Sequence, residues 1–472
     1  MPTKRQNTLY AIGGVALLLI VWQLLASFGG TGFILPSPWA VLKTFARGLV
    51  VAESWQSVGT STGRILLSVL RATVFAVVFA WLAAKWRPLR GMLAPIVLVI
   101  KSVPIVSFIL IALFFLSDAR LTPFICGLVV FPMVYGQLLS GILNVDRSML
   151  EMGDVFRLKK RNIVRYIVIP SVRESFLAAL SVAIGMAWKA GVAAEVITFA
   201  KQTVGRHMYD AKLYLDMERL LAWTLAVVLL SYVSEQIIVR LSRAWLVRFG
   251  ERLPGEFWSH PSADPPETST SVTAPPTSPA PIEVRHLDKR FGDAVIFDDF
   301  SATLPLDRPL MLIGASGSGK TTLMRIMMGL EAPDAGRIEG VPDRPMLVFQ
   351  ENRLFPQLTA RDNIRLVLPD HDGARADALL AALDLSHVKD QAARTLSGGE
   401  KRRLALARGA APASGILFLD EAFRELDDER VGLAVRFVAD VAKTKPVVIA
   451  SHDLTLIDRL QANVVSLDGS FD

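Results

Sequence analysis

Cysteine is nearly missing from this chain. Its 472 residues carry one, Cys126, which excludes an intrachain disulfide framework and a cysteine-rich metal site. Charge is scarce too, at 20% of residues against a hydrophobic fraction of 52%. Soluble domains carry about 25% charged residues, so the shortfall matters if the apolar residues cluster. They do, almost entirely before residue 250, and that half is read as a membrane protein. The net charge of +7 does not call for nucleic acid, because Lys and Arg gather at the ends of apolar runs, where membrane topology places them. Cys126 lies inside an apolar run and reads as a small buried residue.

Six apolar runs are candidate spans of the bilayer: Leu9 to Phe28, Ile65 to Trp86, Val103 to Leu116, Leu121 to Leu143, Phe176 to Ala200 and Leu220 to Leu241. The first is too long for a signal-peptide core and lacks a clean cleavage site. Cations follow the second, fourth and sixth runs, among them Arg87, Arg90, Arg157, Lys159, Lys160, Arg243 and Arg248. The positive-inside rule therefore places both termini in the cytoplasm of a cell inner membrane. From Pro254 to Pro281 the composition turns to Pro, Ser, Thr and Ala, which cannot bury enough apolar surface to fold. The expected domains are a membrane domain at 1–253, a disordered linker at 254–281 and a C-terminal domain at 282–472.

In the C-terminal part, short strands such as Ile282–Val284, Met346–Phe349, Gly415–Leu419 and Pro446–Ala450 alternate with helical stretches. That pattern argues for an α/β core. Between the apolar run Leu310–Ile313 and a helical pattern stands Gly314-Ala315-Ser316-Gly317-Ser318-Gly319-Lys320-Thr321, with Thr322 after it. Closely set glycines let backbone N–H groups wrap a polyphosphate at a helix N-terminus, Lys320 reaches the β and γ phosphates, and the Thr321 hydroxyl ligates Mg²⁺. Downstream, the apolar strand Ile416–Leu419 ends in Asp420, placed to enter the Mg²⁺ shell. Glu421 comes next and is the candidate general base for the attacking water.

Leu396-Ser397-Gly398-Gly399-Glu400 lies upstream of that acid strand and His452 follows the next strand. With these residues the sequence resembles the ATP-binding cassette (ABC) transporter family, over nearly its whole length. By that resemblance Gln350 senses Mg²⁺ and the γ-phosphate, His452 contacts the γ-phosphate, and Phe291 stacks on adenine where a tyrosine is common. Ser397, Gly398 and Gly399 complete the ATP site of the opposite subunit, with Asp427 near that junction, which implies a homodimer. Glu400 stands for the usual Gln, and Arg424-Glu425-Leu426-Asp427 for the usual Ser-Ala-Leu-Asp.

The loop after the fourth run resembles the coupling segment of importer permeases in spacing, with Glu151, Arg157, Ile167, Ile169 and Pro170 at the matching positions. Met152, Gly153 and Arg157 replace Ala, Ala and Gly. The loop is expected to be a short amphipathic helix that docks near Gln350, with Glu151 and Arg157 needed for coupling. Ile34-Leu35-Pro36-Ser37-Pro38, Trp188 with Val192-Ala193-Ala194-Glu195, and Pro342-Asp343-Arg344 look like the nitrate, taurine and aliphatic sulfonate import group. Lys189 and Glu195 are the deepest ionisable residues of the fifth run and are candidate substrate-pathway residues. The expectation is thus ATP-driven import of a small solute, such as a sulfonate, taurine or nitrate, delivered by a separate extracytoplasmic binding protein. The alternatives are an exporter with fused halves, an importer of a thiamine-precursor-like organic, and a soluble-type ABC ATPase with an incidental membrane anchor.

Overall fold

The computed structural model describes residues 4–28, 35–251, 280–369 and 371–467. The chain forms two compact units, Met1–Val145 with Pro170–Val247, and Asp146–Ile169 with Arg248–Asp472.

In chain order the helices are α1 (Lys4–Phe28), α2 (Pro38–Gly48), α3 (Ala52–Lys85), α4 (Arg87–Ser102), α5 (Ile105–Ala112) and α6 (Asp118–Leu143). Three shorter turns follow: α7 (Arg147–Val155), α8 (Lys160–Ile163) and a π-helical turn at Val164–Val168. The chain then returns to the first unit with α9 (Ile169–Thr198), α10 (Val204–Leu213) and α11 (Met217–Glu251). The Pro-Ser-Pro stretch noted in the sequence starts α2: the Ser37 hydroxyl accepts from the Ala40 N–H at 3.3 Å, and Pro38 takes a first-turn position that needs no donor.

Among the described residues, four helices are long and apolar enough to cross a bilayer: Ala52–Lys85, Asp118–Leu143, Lys160–Thr198 and Met217–Phe249. The third expected span, Val103–Leu116, is not one continuous helix. Helices α4 and α5 meet at 99° across Val103 and Pro104, and at most make one broken span. Pro104 is the cause, since it pushes the residue before it out of helical conformation, and Val103 is extended at φ −79°, ψ 132°. α1 carries a shorter apolar stretch, Ile12–Ser27.

Helices α3, α6 and α9 pack closely. A Cβ on Gly191 of α9 would lie 2.8 Å from Ile65 of α3 and 2.9 Å from the Cys126 sulfur of α6, so only glycine fits. Cys126 is fully buried there, as its composition suggested.

The second unit holds strands β1 (Ile282–Phe291), β2 (Ala294–Leu304), β3 (Leu310–Ile313), β4 (Ala335–Glu339), β5 (Met346–Val348), β6 (Leu417–Asp420), β7 (Val447–Ala450) and β8 (Asn463–Ser466). Its helices are α12 (Lys320–Met327), α13 (Ala360–Arg365), α14 (Gly373–Ala382), α15 (Gly398–Ala410), α16 (Asp428–Ala442) and α17 (Thr455–Leu460). An antiparallel sheet runs β2-β1-β4, and a five-stranded sheet runs β5-β6-β7-β3-β8. The latter is parallel, and the residues of β6 and β7 are buried throughout, as sheets covered on both faces require.

Parallel register is what gathers the site. Val348 faces Leu419, Asp420 faces Ala450 and Leu312 faces Ala450, so β5, β6, β7 and β3 end level with one another. The four segments that follow these strands share one sheet edge, where α/β sheets bind ligands. The linker expected at 254–281 lies outside the described residues except for Ala280 and Pro281.

Candidate nucleotide site and coupling segment

The loop from Gly314 to Gly319 joins β3 to α12. Gly317 and Gly319 take φ of 87° and 96°, in the left-handed region that favours glycine. A Cβ on Gly319 would also sit 2.6 Å from the Phe297 ring. Lys320, buried at the start of α12, donates to the Gly314 carbonyl at 2.7 Å and the Ala315 carbonyl at 2.9 Å, which curls the loop around its ammonium. Thr322 follows on the first turn of α12.

The Thr321 hydroxyl donates to the Asp420 carboxylate, at 3.1 Å and 3.0 Å to its two oxygens. Burial raises the Asp420 pKa above the ordinary value, and the Thr321 hydrogen bond opposes the rise. Ser316, Gln350, Glu421, Ser451 and His452 line one cavity at this edge. Glu421 holds a left-handed φ of 49°, and its Oε1 lies 3.4 Å from His452 Nε2. A non-glycine residue held there costs about 1–3 kcal/mol, which the surrounding hydrogen bonds must offset.

Those bonds come from a residue that sequence reasoning missed. Arg402, only 2% exposed, donates to the backbone carbonyls of Phe349, Gln350, Asp420, Glu421 and Ala422. One guanidinium thereby ties the turn after β5 to the turn after β6. The available signal was the basic run Lys401-Arg402-Arg403 on a helix whose other residues are largely apolar.

Ser397, Gly398 and Gly399 are not brought to that cavity. Ser397 caps α15 in a reciprocal arrangement with Glu400, whose carboxylate accepts from the Ser397 N–H at 2.8 Å and hydroxyl at 2.7 Å. Those bonds hold the Glu400 pKa below the ordinary value. Asp427 caps α16, accepts from the Arg430 N–H at 3.0 Å and lines the same separate hollow as Ser397, Gly399 and Glu400. Phe291 ends β1, is 49% exposed, and carries the Lys289 ammonium 4.9 Å from its ring centroid.

The segment from Asp146 to Ile169 belongs to the same compact unit as the cassette. Asp146 caps α7, its carboxylate accepting from the Ser148 N–H at 2.8 Å. Glu151 on α7 pairs with Arg325 of α12, and with Arg353 at 2.7 Å. Burial raises its pKa, but the two guanidinium partners outweigh burial and hold it below the ordinary carboxylate value. Beside it, buried Arg408 donates to Met152 Sδ at 3.0 Å and to the Arg353 carbonyl at 2.9 Å, with its guanidinium 4.8 Å from the Phe156 ring centroid. Ile167 is buried, the Tyr166 carbonyl accepts from Gln357 at 2.8 Å, and Pro170 lies in the first turn of α9.

Arg157 has a different part. It adopts φ 51° directly after α7, with Arg157 N–H on the Asp154 carbonyl and Leu158 N–H on the Gly153 carbonyl, both at 2.9 Å. This is a helix stop that glycine makes without strain, which accounts for glycine at the matching place in the importer pattern.

In the membrane unit the two pathway candidates part ways. Glu195 is fully buried, and one oxygen accepts from the Ser61 hydroxyl at 2.8 Å and the Gly205 N–H at 3.1 Å, fastening the start of α10. Lys189 is exposed.

Two family models match the chain: an ABC transporter model over residues 297–424, and a model for a binding-protein-dependent transport system inner membrane component over residues 74–247. The aliphatic sulfonates import ATP-binding protein SsuB 3 of Paraburkholderia xenovorans (strain LB400) is 41% identical over 199 residues, covering 40% of this chain and 80% of that protein. SsuB 1 of Nocardia farcinica (strain IFM 10152) is 39% identical over 196 residues, covering 41% and 80%. Among solved structures, the dimeric ATP-binding cassette MJ0796 bound to ADP and Pi aligns at 22% identity and a TM-score of 0.36, over 39% of this chain and 93% of that one. Relatives matched over four fifths of their length, together with a permease model on the helical half, establish that the chain belongs to the ABC transporter family, with an importer-type permease and its ATPase joined in one polypeptide.

Proposed function

We propose that two copies of this chain, with termini and cassettes in the cytoplasm, hydrolyse ATP to import a small organic anion of the alkylsulfonate class across the inner membrane. A separate extracytoplasmic protein delivers the cargo. The observation that carries this reading is the position of Glu151, ion-paired at once to the helix that follows the phosphate loop and to the segment after Gln350. A change at the nucleotide edge therefore reaches the permease segment through charge-assisted bonds.

The working roles proposed are those the motifs and the family resemblance imply. Gly314, Ser316, Gly317, Gly319, Lys320, Thr321 and Thr322 hold the phosphates, Phe291 offers a ring face to adenine, and Glu421 takes the proton of the attacking water, with Gln350 and His452 beside it. Thr321 and Asp420 fit Mg²⁺, a hard cation that keeps several waters and is bound through one or two carboxylates plus phosphates. Among the described residues no cluster of three or more His, Cys, Asp or Glu side chains suits a metal, so these donors would act together with the nucleotide. When bound, Mg²⁺ would neutralise charge that develops on the transferred phosphoryl group. Ser397, Gly398, Gly399 and Asp427, lying apart from this cavity, serve the site of the second copy.

Helices α1, α3, the α4–α5 pair, α6, α9 and α11 supply six crossings within 1–253, residues 254–281 a linker, and 282–472 the cassette. The sulfonate class rests on the printed names of the SsuB relatives. The test is ATPase activity and uptake in proteoliposomes, with candidate binding proteins loaded with an alkanesulfonate, taurine, nitrate or a thiamine precursor. Stimulation and uptake with a sulfonate support the reading. Extrusion without a binding protein would establish the exporter alternative, and stimulation by the thiamine precursor alone would replace the cargo.

A further inference from the structure

Lys189 on α9, Arg71 on α3 and Lys101 near the end of α4 are among the exposed cations of the membrane unit's helices that have no hydrogen-bond or ion-pair partner among the described residues. Their levels can be read from their neighbours. Cys126 of α6 donates to the Ala187 carbonyl, and Ala190 packs in one cluster with Ile125, which puts Lys189 at the level of residues 125–126 of α6. Ile65 meets Gly191 and Cys126 at that level, so Arg71, six residues further along α3, lies about 9 Å away along the helix. The Lys101 ammonium lies 3.4 Å from where a Cβ of Gly136 would stand. Gly136 is ten residues beyond Cys126, or about 15 Å along α6.

The deep carboxylates of α9 and α11 are engaged elsewhere. Glu195 accepts from Ser61 and Gly205, and Glu235 accepts from Ser181. Cations thus outnumber available acids across the interior, and charge in hydrocarbon persists where water or a counter-ion reaches it. Rings of Lys or Arg select anions in pores, and several weak sites in series let an ion enter and leave.

We propose that Lys189, Arg71 and Lys101 are successive stations of an anion path through the membrane unit, from the level of Cys126 to the level of Gly136. The proposal rests on the transport reading above and adds that the path itself, independently of any binding protein, favours compact anions such as sulfonates. Glu195 is left out of it, as the fastening of α10.

Cys126 is the chain's single cysteine, so a Cys126→Ala background allows one reporter thiol at a time in the full chain in nanodiscs. Lys101→Cys is treated with the anionic reagent 2-sulfonatoethyl methanethiosulfonate and with its trimethylammonium counterpart, and rates are normalised to a free thiol in solution. The anionic reagent is expected to react about tenfold faster or more, and adding Lys189→Gln or Arg71→Gln should lower that preference several-fold. Ethanesulfonate should slow the anionic reaction. No modification, with or without ATP and vanadate, overturns the proposal, as does a preference unmoved by both glutamine variants. A monodisperse elution profile and an unchanged thermal midpoint of the membrane unit show that the variants fold. Selective labelling together with absent sulfonate uptake by the wild type would keep the anion path and remove the cargo class proposed above.

Discussion

In the cassette unit Arg402 is 2% exposed, yet it meets five backbone carbonyls, whereas Lys189 in the membrane unit stands exposed on the flank of a long apolar helix with no partner among the described residues. A buried, fully bonded cation is part of the scaffold: it holds Gln350 and Glu421 in register. An exposed cation without a partner among the described residues adds no hydrogen bond or ion pair to the folded protomer. On the anion-path proposal, its role lies in what passes there. The same contrast holds within α9 itself, where Glu195 is bonded and buried and Lys189, six residues earlier, is not.

The largest effect expected is on chemistry. Glu421→Gln should keep nucleotide binding and lower ATP turnover by about 100-fold or more, the usual worth of a general base, read by ATPase assay beside nucleotide binding. Sustained turnover would remove Glu421 from that role and make its left-handed backbone a structural feature only.

Next comes the direct test of the contrast. Arg402→Met leaves five carbonyls short of their donor, and breaking such a buried charged network costs about 3–5 kcal/mol, seen as a large fall in the cassette's thermal midpoint. Lys189→Met should leave that midpoint and basal ATPase unchanged and lower anion transport. Equal thermal losses in the two variants would erase the distinction.

Glu151→Gln should keep basal ATPase and abolish stimulated transport. Its carboxylate pKa is depressed in the folded chain, so the ion pairs with Arg325 and Arg353 are fully formed above the ordinary value of 4.5 and are lost as pH falls through the lower folded value. Coupling should therefore be flat from about pH 5.5 to pH 8, and a loss of coupling within that range would point to another group.

The smallest effect is at Arg157. Because the backbone there is left-handed, Arg157→Gly should be neutral or stabilising by up to about 1 kcal/mol, with coupling kept. Uncoupling by that variant would return the side chain to the docking role first read from the sequence.

The nucleotide motifs were legible because each is a local backbone event at the end of a short apolar strand: glycines at positive φ before Lys320, an acid after Leu419, a histidine after β7. β2 and β4 were not anticipated, since the β1–β2 and β1–β4 pairings carry register shifts that blur strict alternation. The break at Pro104 was present as a proline, but apolar content alone read through it into one span. Arg402 was invisible because its partners are carbonyls contributed by two distant segments, and main-chain acceptors carry no residue signature.

What the sequence by itself determined is therefore chemistry carried by contiguous residues: a phosphate loop, an acid strand, a signature segment, and apolar runs long enough for a bilayer. Only the tertiary structure decided which charges are scaffold and which are free. That depends on the parallel register that brings β3, β5, β6 and β7 to one edge, and on the packing of α9 against α3 and α6. Both are long-range contacts, and an Arg or Lys reads the same in a sequence whether five carbonyls wait for it or none.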